Sequence, residues 1–198
     1  IEQTVSSGFP QLYVENLLEL SDEQQGAVQQ NITATVANLK QFQTNEGGFG
    51  YWQGDEDASA WGTNYAGHFL LEAQQQGYAV SSTMLNRWKQ FQKRRANLWT
   101  NRESTYRNYD LDQAYRLFTL ALAGEPALSA MNRMRTLPNL SVQAQWRLAD
   151  AYALTGKKDI SQALIDNVST YIPDYQELAY TYGSDIRDEA MIVESLVL

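Results

Sequence analysis

The side chains able to do chemistry in this 198-residue chain are carboxylates and a single histidine. Glu46, Asp55, Glu56, Asp57, Asp110, Asp112, Asp185, Asp188 and Glu189 all fall near predicted helix starts. Paired carboxylates at the mouth of a helical ring are the equipment of glycoside hydrolysis, one acting as acid and the other as base or nucleophile. Plain helix starts produce the same placement, because the positive end of the helix dipole favours Asp and Glu. His68 sits beside Phe69 and Leu70 and reads as a packed ring. With no cysteine, disulfides, iron–sulfur clusters and cysteine-based zinc sites are excluded, and no metal or other cofactor is expected.

The charge balance narrows the partners. A net charge of −8 argues against nucleic acid, which needs Lys and Arg clustered on one face. The one basic run, Lys89 to Arg95, is short and lies on a predicted helix, where it reads as a solvated face. No stretch approaches the roughly 20 apolar residues of a membrane span. Chain length suits one domain over 1–198, able to bury roughly 70% of the surface its unfolded form exposes. The start at Ile1 without Met, and a last run that stops at Leu198 with no cap, give the expectation of an excised fragment. Three N-x-S/T sequons, at Asn31, Asn139 and Asn167, carry no weight at a frequency chance supplies.

Helix signals dominate, and strand signals are nearly absent. Ser21 and Gln24 form a capping-box pattern, followed by Val28, Ile32, Val36, Leu39 and Phe42 on one stripe, which predicts a helix over 22–43. Glycine and asparagine break it at 45–54, and Asp55-Glu56-Asp57 precede a helix over 58–76 that Gly77 ends, at the end where the dipole suits carboxylates. Further helices are expected from Ser81 or Ser82, over 111–123, 128–137, 141–155 and 160–169, and from Ser184 or Asp185. A piece from Phe9 to Leu20 is also expected to be helical, and Asn97 to Asn108 is the longest expected loop. Short gaps between these helices predict antiparallel hairpins.

The pattern repeats. Aligning Gly77, Gly124 and Gly156 superposes His68-Phe69-Leu70-Leu71, Tyr115-Arg116-Leu117-Phe118 and Arg147-Leu148-Ala149-Asp150, at spacings of 47 and 32 residues. Helix pairs with a period of roughly 30 to 50 residues build either an open solenoid or a closed ring. Trp61, Tyr65, Phe69, Tyr115, Phe118, Trp146 and Tyr152, all embedded in predicted helices, favour inner helices buried on most sides, hence a ring.

Two stretches carry a resemblance. Ile1-Glu2-Gln3-Thr4 followed by Gly8-Phe9-Pro10-Gln11-Leu12-Tyr13 is similar to the end of a Cys-x-Glu-Gln box and the hydrophobic-proline stretch after it. Gly47-Gly48-Phe49-Gly50-Tyr51-Trp52, then Trp61-Gly62-Thr63-Asn64-Tyr65 and Gly77-Tyr78-Ala79-Val80, resemble a glycine-aromatic loop, a Trp-x-Thr-x-Tyr helix opening and a Gly-Tyr-x-Val exit. Together these resemble the thioester domain of the bacterial α2-macroglobulin family. In that chemistry a cysteine thiolate displaces ammonia from the amide of a glutamine three residues on, the short loop lending the step a high effective molarity.

The resemblance implies an all-α fold, an α/α toroid of antiparallel helical hairpins, here an incomplete ring. It implies that Gln3 is the acyl donor, Glu2 its neighbour in the box, with the partner cysteine outside the chain, and that Tyr13, Tyr51 and Trp52 shield the bond from water. The parent would be a protease trap of the bacterial cell envelope or periplasm, any lipid anchor belonging to the parent; its partners would be proteases and other domains of the same parent. The fragment itself would not be an enzyme. In complement-type relatives a distant downstream histidine assists transfer; His68 stands in the wrong hairpin for that role, which leaves direct reaction with amines. Two other readings remain: a carbohydrate-active toroid enzyme with an acidic groove, and a helical-repeat scaffold with an apolar concave face.

Overall fold

A computed structural model describes residues 1–101 and 109–198. Every regular element among them is a helix, and two isolated bridges, Gln43 with Phe49 and Gln176 with Ser184, are the β-type pairings. The all-α expectation holds. Residues 102–108 of the loop expected after Asn97 lie outside the described residues. The chain forms two compact units, Ile1–Phe91 and Gln92–Leu198.

The first unit holds α1 (Glu2–Gly8), a 3-10 turn at Phe9–Leu12, α2 (Val14–Leu17), α3 (Asp22–Asn38), a 3-10 turn at Leu39–Phe42, α4 (Ala60–Gln75) and the first part of α5 (Ser82–Leu98). The second holds the end of α5, then α6 (Tyr109–Leu122), α7 (Leu128–Arg135), α8 (Val142–Leu154), α9 (Lys158–Ile165) and α10 (Asp185–Leu196).

Local chemistry explains most of the boundaries. The Ser21 hydroxyl accepts from the Gln24 backbone N–H while the Gln24 side chain accepts from the Ser21 N–H, so the capping box is complete. Ser59, Ser141 and Ser184 cap α4, α8 and α10 by accepting from the backbone N–H of Gly62, Ala144 and Arg187. At the other ends, Gly77, Gly124 and Gly156 adopt φ of +91°, +72° and +73°. Each is followed by a residue whose N–H reaches back to the last turn: Tyr78 to Ala73 O, Glu125 to Leu120 O and Lys157 to Tyr152 O, at 3.0, 2.9 and 3.0 Å. That is the Schellman arrangement three times over.

The repeated helices are the deeply buried ones. Residues Trp61 to Asn64 of α4, Gln113 to Ala121 of α6 and Trp146 to Tyr152 of α8 are buried without a break, which covers every side of a helix with 3.6 residues per turn. By contrast α3 buries only Ile32, Thr35 and Val36, a single stripe. Of the aromatics expected inside, Tyr65 is half-buried and the rest are buried. Helices α4 and α5 meet at an unusual closeness: a Cβ on Gly67 would lie 2.2 Å from the fully buried Trp88 ring. In the second unit α8 packs on α6, α7, α9 and α10.

Several expectations are corrected. The chain turns helical at Glu2, ahead of the Phe9–Leu20 piece, and that piece is broken: Pro10 lies in the 3-10 turn and α2 ends at Leu17. The predicted helix over 22–43 tightens to 3-10 geometry from Leu39. The helix expected from 58 starts two residues later, at Ala60 with Ser59 as its cap, and Asp55-Glu56-Asp57 precede it. Asn97 belongs to α5 rather than to a loop. The helix expected over 160–169 begins at Lys158 and ends at Ile165, and Asn167 then takes φ of +66°. No helix among the described residues is long and apolar enough to cross a membrane.

Candidate functional site

Helix α1 is short, and its placement is set by burial rather than by propensity. Val5 and Gly8 face inward, Ile1 is buried, and α1 rests on α3 and α4. The Ile1 nitrogen donates to the Tyr51 carbonyl at 2.8 Å, which ties the chain just before α1 to the glycine-aromatic loop. Around this junction lies a cavity of about 420 Å³ lined by Ile1, Glu2, Gln3, Thr4, Phe42, Tyr51, Trp52 and Gln53. Gln3 is exposed and is one of the residues that line that cavity.

The loop is held by many bonds in sequence. Thr44 N–H donates to Gly48 O at 2.9 Å, Gly50 N–H to Phe42 O at 2.8 Å and Gly54 N–H to Gln41 O at 3.2 Å. Gly47 takes φ of +102°, and a Cβ there would meet the Arg87 carbonyl oxygen at 2.5 Å, so the turn demands glycine. The Arg87 guanidinium donates to Thr44 O and Asn45 O at 2.9 and 3.0 Å. Inside, the Thr63 hydroxyl accepts from Phe49 N–H at 2.9 Å and lies 3.2 Å from Phe49 O, to which it donates. The Trp88 indole N–H closes the set by donating to Thr63 O at 2.9 Å.

The three loop aromatics do not share one fate. Phe49 is fully buried, Tyr51 is half-buried, and Trp52 is 68% exposed. Tyr51 and Trp52 meet edge to face with centroids 5.1 Å apart, and both line the cavity. Tyr13 is directed elsewhere, its hydroxyl donating to Glu72 Oε2 at 2.9 Å.

His68 is a packed ring, as its neighbours in sequence suggested. It is buried, meets Phe9 edge-on at 5.0 Å, and its Nε2 lies 3.8 Å from Glu72 Oε1. The acidic residues are likewise engaged in structure. Asp55 accepts from Trp52 N–H at 2.8 Å, and Asp110 accepts from Ser141 N–H and Oγ at 2.6 and 3.1 Å. Asp188, fully buried, accepts from the Tyr175 hydroxyl at 2.5 Å and from Arg187. Glu189 accepts from Ile172 N–H at 3.2 Å. Among the described residues no group of three His, Cys, Asp or Glu could hold a metal ion.

Two features escaped the sequence reading. Thr63 had a signal, since it is the threonine of the Trp-x-Thr-x-Tyr pattern, but its two-way bond to Phe49 depends on a loop fourteen residues away. Arg147 had none: it is 2% exposed, bonds Asp150 at 3.1 Å and Glu194 at 2.7 Å, and stacks 4.4 Å over the Phe118 ring. Burial pushes the Asp150 carboxyl up to about 6, against the pull of Arg147 and the Ser195 hydroxyl.

Comparison with known proteins follows the same line. No protein-family model matches the chain. An alpha-2-macroglobulin from Xylella fastidiosa is 26% identical over 207 residues, covering 97% of this chain and 12% of that protein. Escherichia coli alpha-2-macroglobulin is 36% identical over 95 residues, 44% of this chain and 6% of that protein. The chain thus spans a small part of the relatives it matches. Salmonella alpha-2-macroglobulin reacted with methylamine superposes with a TM-score of 0.82 at 25% identity, covering 98% of this chain and 14% of that one. Trypsin-activated alpha-2-macroglobulin from Escherichia coli does so with a TM-score of 0.79 at 24% identity, over 99% of this chain and 14% of its own, and testifies to fold alone. In sequence and in its all-helical fold, over nearly its whole length, the chain is similar to bacterial alpha-2-macroglobulins.

Proposed function

We propose that this chain is the thioester-bearing helical region of an alpha-2-macroglobulin-like protease trap, with Gln3 as the acyl donor. A cysteine joined to the Ile1 nitrogen would stand three residues before Gln3. Its thiolate attacks the Gln3 side-chain carbonyl carbon, an S–C bond forms, the C–N bond breaks, and ammonia leaves carrying a proton. A lysine amine of an attacking protease then adds to the same carbon. The new C–N bond replaces the C–S bond, the thiolate departs, and the amine proton is released, leaving an isopeptide link.

The observation that carries the reading is the position of Gln3 on a cavity walled by Tyr51 and Trp52, beside the bond from Ile1 to the loop. Support also comes from the likeness to the methylamine-reacted Salmonella protein, since methylamine is a small amine nucleophile. Tyr51 and Trp52 act as the shield against water, and Tyr13 braces the segment after α1 through Glu72. On this reading the chain is not itself an enzyme; its partners are proteases and other domains of its parent, and its setting is the bacterial periplasm or cell envelope.

The test is chemical. The codon before Ile1 is expected to encode cysteine, and intact mass of the protein extended to include it is expected to show ammonia loss, then a methylamine adduct abolished by Gln3→Ala. Another residue at that codon, or an extended protein inert to methylamine, overturns the reading.

A further inference from the structure

Resting on that reading, we propose that Asp55 is a positioning residue that holds Trp52 at the mouth of the cavity and so governs how fast small nucleophiles reach the Gln3 acyl group. The argument starts from an imbalance. Trp52 lines the cavity yet is 68% exposed, so burial does little to keep its ring in place. Its ring meets Tyr51 at 5.1 Å. The backbone supplies the rest: Trp52 N–H donates to Asp55 Oδ2 at 2.8 Å, and Asp55 N–H returns to Trp52 O at 3.4 Å.

Asp55 is itself firmly seated. It is half-buried, and its Cβ lies where a side chain on Gly50 would collide with it, at 2.6 Å, so the carboxylate stem lies flat on the loop backbone. The turn between the two residues is anchored on the other side by Gly54 N–H to Gln41 O at 3.2 Å. The tether is the side-chain oxygen that accepts the Trp52 N–H, an acceptor that position 55 places within one turn of the indole. Releasing it frees the peptide that carries the indole while the bonds from Ile1 to Tyr51 and from Gly50 to Phe42 persist. Trp52 then swings as a flap, in the manner of loops that gate a reaction without taking part in it.

The experiment uses the protein extended to include the cysteine, with methylamine as the probe and adduct formation followed by intact mass. Asp55→Ala is expected to consume the thioester about tenfold faster, by methylamine and by water alike, with an unchanged thermal midpoint. Asp55→Asn, which keeps a side-chain carbonyl acceptor, is expected to stay near the wild-type rate, a rescue that a role through charge would not give. Equal rates in Asp55→Ala and wild type, or an Asp55→Asn as fast as Asp55→Ala, overturn the proposal. A second measurement stands apart from the thioester: in the 198-residue chain, Asp55→Ala is expected to shift the Trp52 indole NMR resonance toward its unfolded position while Asp55→Asn leaves it in place. An unmoved indole overturns the tether. A wild type that never forms the thioester brings down the proposed function, and the gating role with it, while the indole measurement still decides the tether.

Discussion

The two units solve the problem of buried polarity in opposite ways. In Ile1–Phe91 the buried polar side chains are Thr35, Thr44, Thr63, Asn64 and His68, and those that hold the glycine-aromatic loop are neutral groups bonded to backbone. In Gln92–Leu198 the set includes the charged residues Arg116, Arg147, Asp150 and Asp188, of which Arg147 pairs with Asp150, and Asp188 with Arg187. Neutral bonds to backbone fix a loop's shape with little dependence on pH or salt. Buried ions bring a desolvation cost that only full pairing offsets, so each member depends on the next. The first solution suits a loop that must hold a cavity; the second ties together helices far apart in sequence, as Arg147 of α8 does with Glu194 of α10.

Removing the centre of the charged set is the strongest way to break this comparison. Arg147→Ala strands the Asp150 carboxylate and uncovers the Phe118 face, and is expected to cost about 3–5 kcal/mol in urea unfolding. A loss below about 1 kcal/mol would show the network to be ornamental.

Acidity separates the units next. Burial pushes Asp112 up to about 7 from 3.8, with Arg116 and Arg187 pulling the other way, and Asp150 is raised to about 6. Because both folded-state values exceed the unfolded one, the folded state holds more protons between them. Their contribution is full below about pH 4 and is lost as pH rises through about 6 to 7, a change on the order of a few kcal/mol. Hydrogen exchange read by mass spectrometry is expected to show peptides of α6 and α8 losing protection between pH 5 and about 8, after correction for intrinsic rates, and Asp112→Asn is expected to flatten that loss. A slope unchanged by Asp112→Asn would contradict it.

The smallest effect sharpens the comparison from the other side. Thr63→Val keeps the volume but strips the hydroxyl from Phe49 N–H and O, leaving buried backbone groups without it, at about 1–3 kcal/mol. That loss is expected to be the same at pH 5 and about 8, since no charge is involved; chemical unfolding at both values checks it. A pH-dependent loss would mean that the Thr63 bonds are coupled to the ionised groups on the loop's outer side, Arg87 and Asp55.

What was legible in the chain alone was local. Ser21 with Gln24, the serines before α8 and α10, and the glycines after α4, α6 and α8 act within one turn, through bonds between residues three to five apart. The lone histidine beside Phe69 was readable as packing for a similar reason, since its neighbours in sequence are apolar. Where a local rule was stretched, it failed. Asp55-Glu56-Asp57 look like a helix start because the dipole favours acids there, yet Ser59 took the cap and Asp55 turned back to Trp52.

The sequence by itself determined an all-helical chain, the ends of most of its helices, and the three repeated helices that carry the aromatics. Only the tertiary structure decided that Gln3 opens onto a cavity shared with Tyr51 and Trp52, that Thr63 locks Phe49, and that Arg147 finds Glu194. The reason is distance along the chain. Caps and turns are paid in contacts that any short segment carries with it, whereas a cavity wall and a buried ion pair exist only once segments dozens of residues apart have been brought together and desolvated.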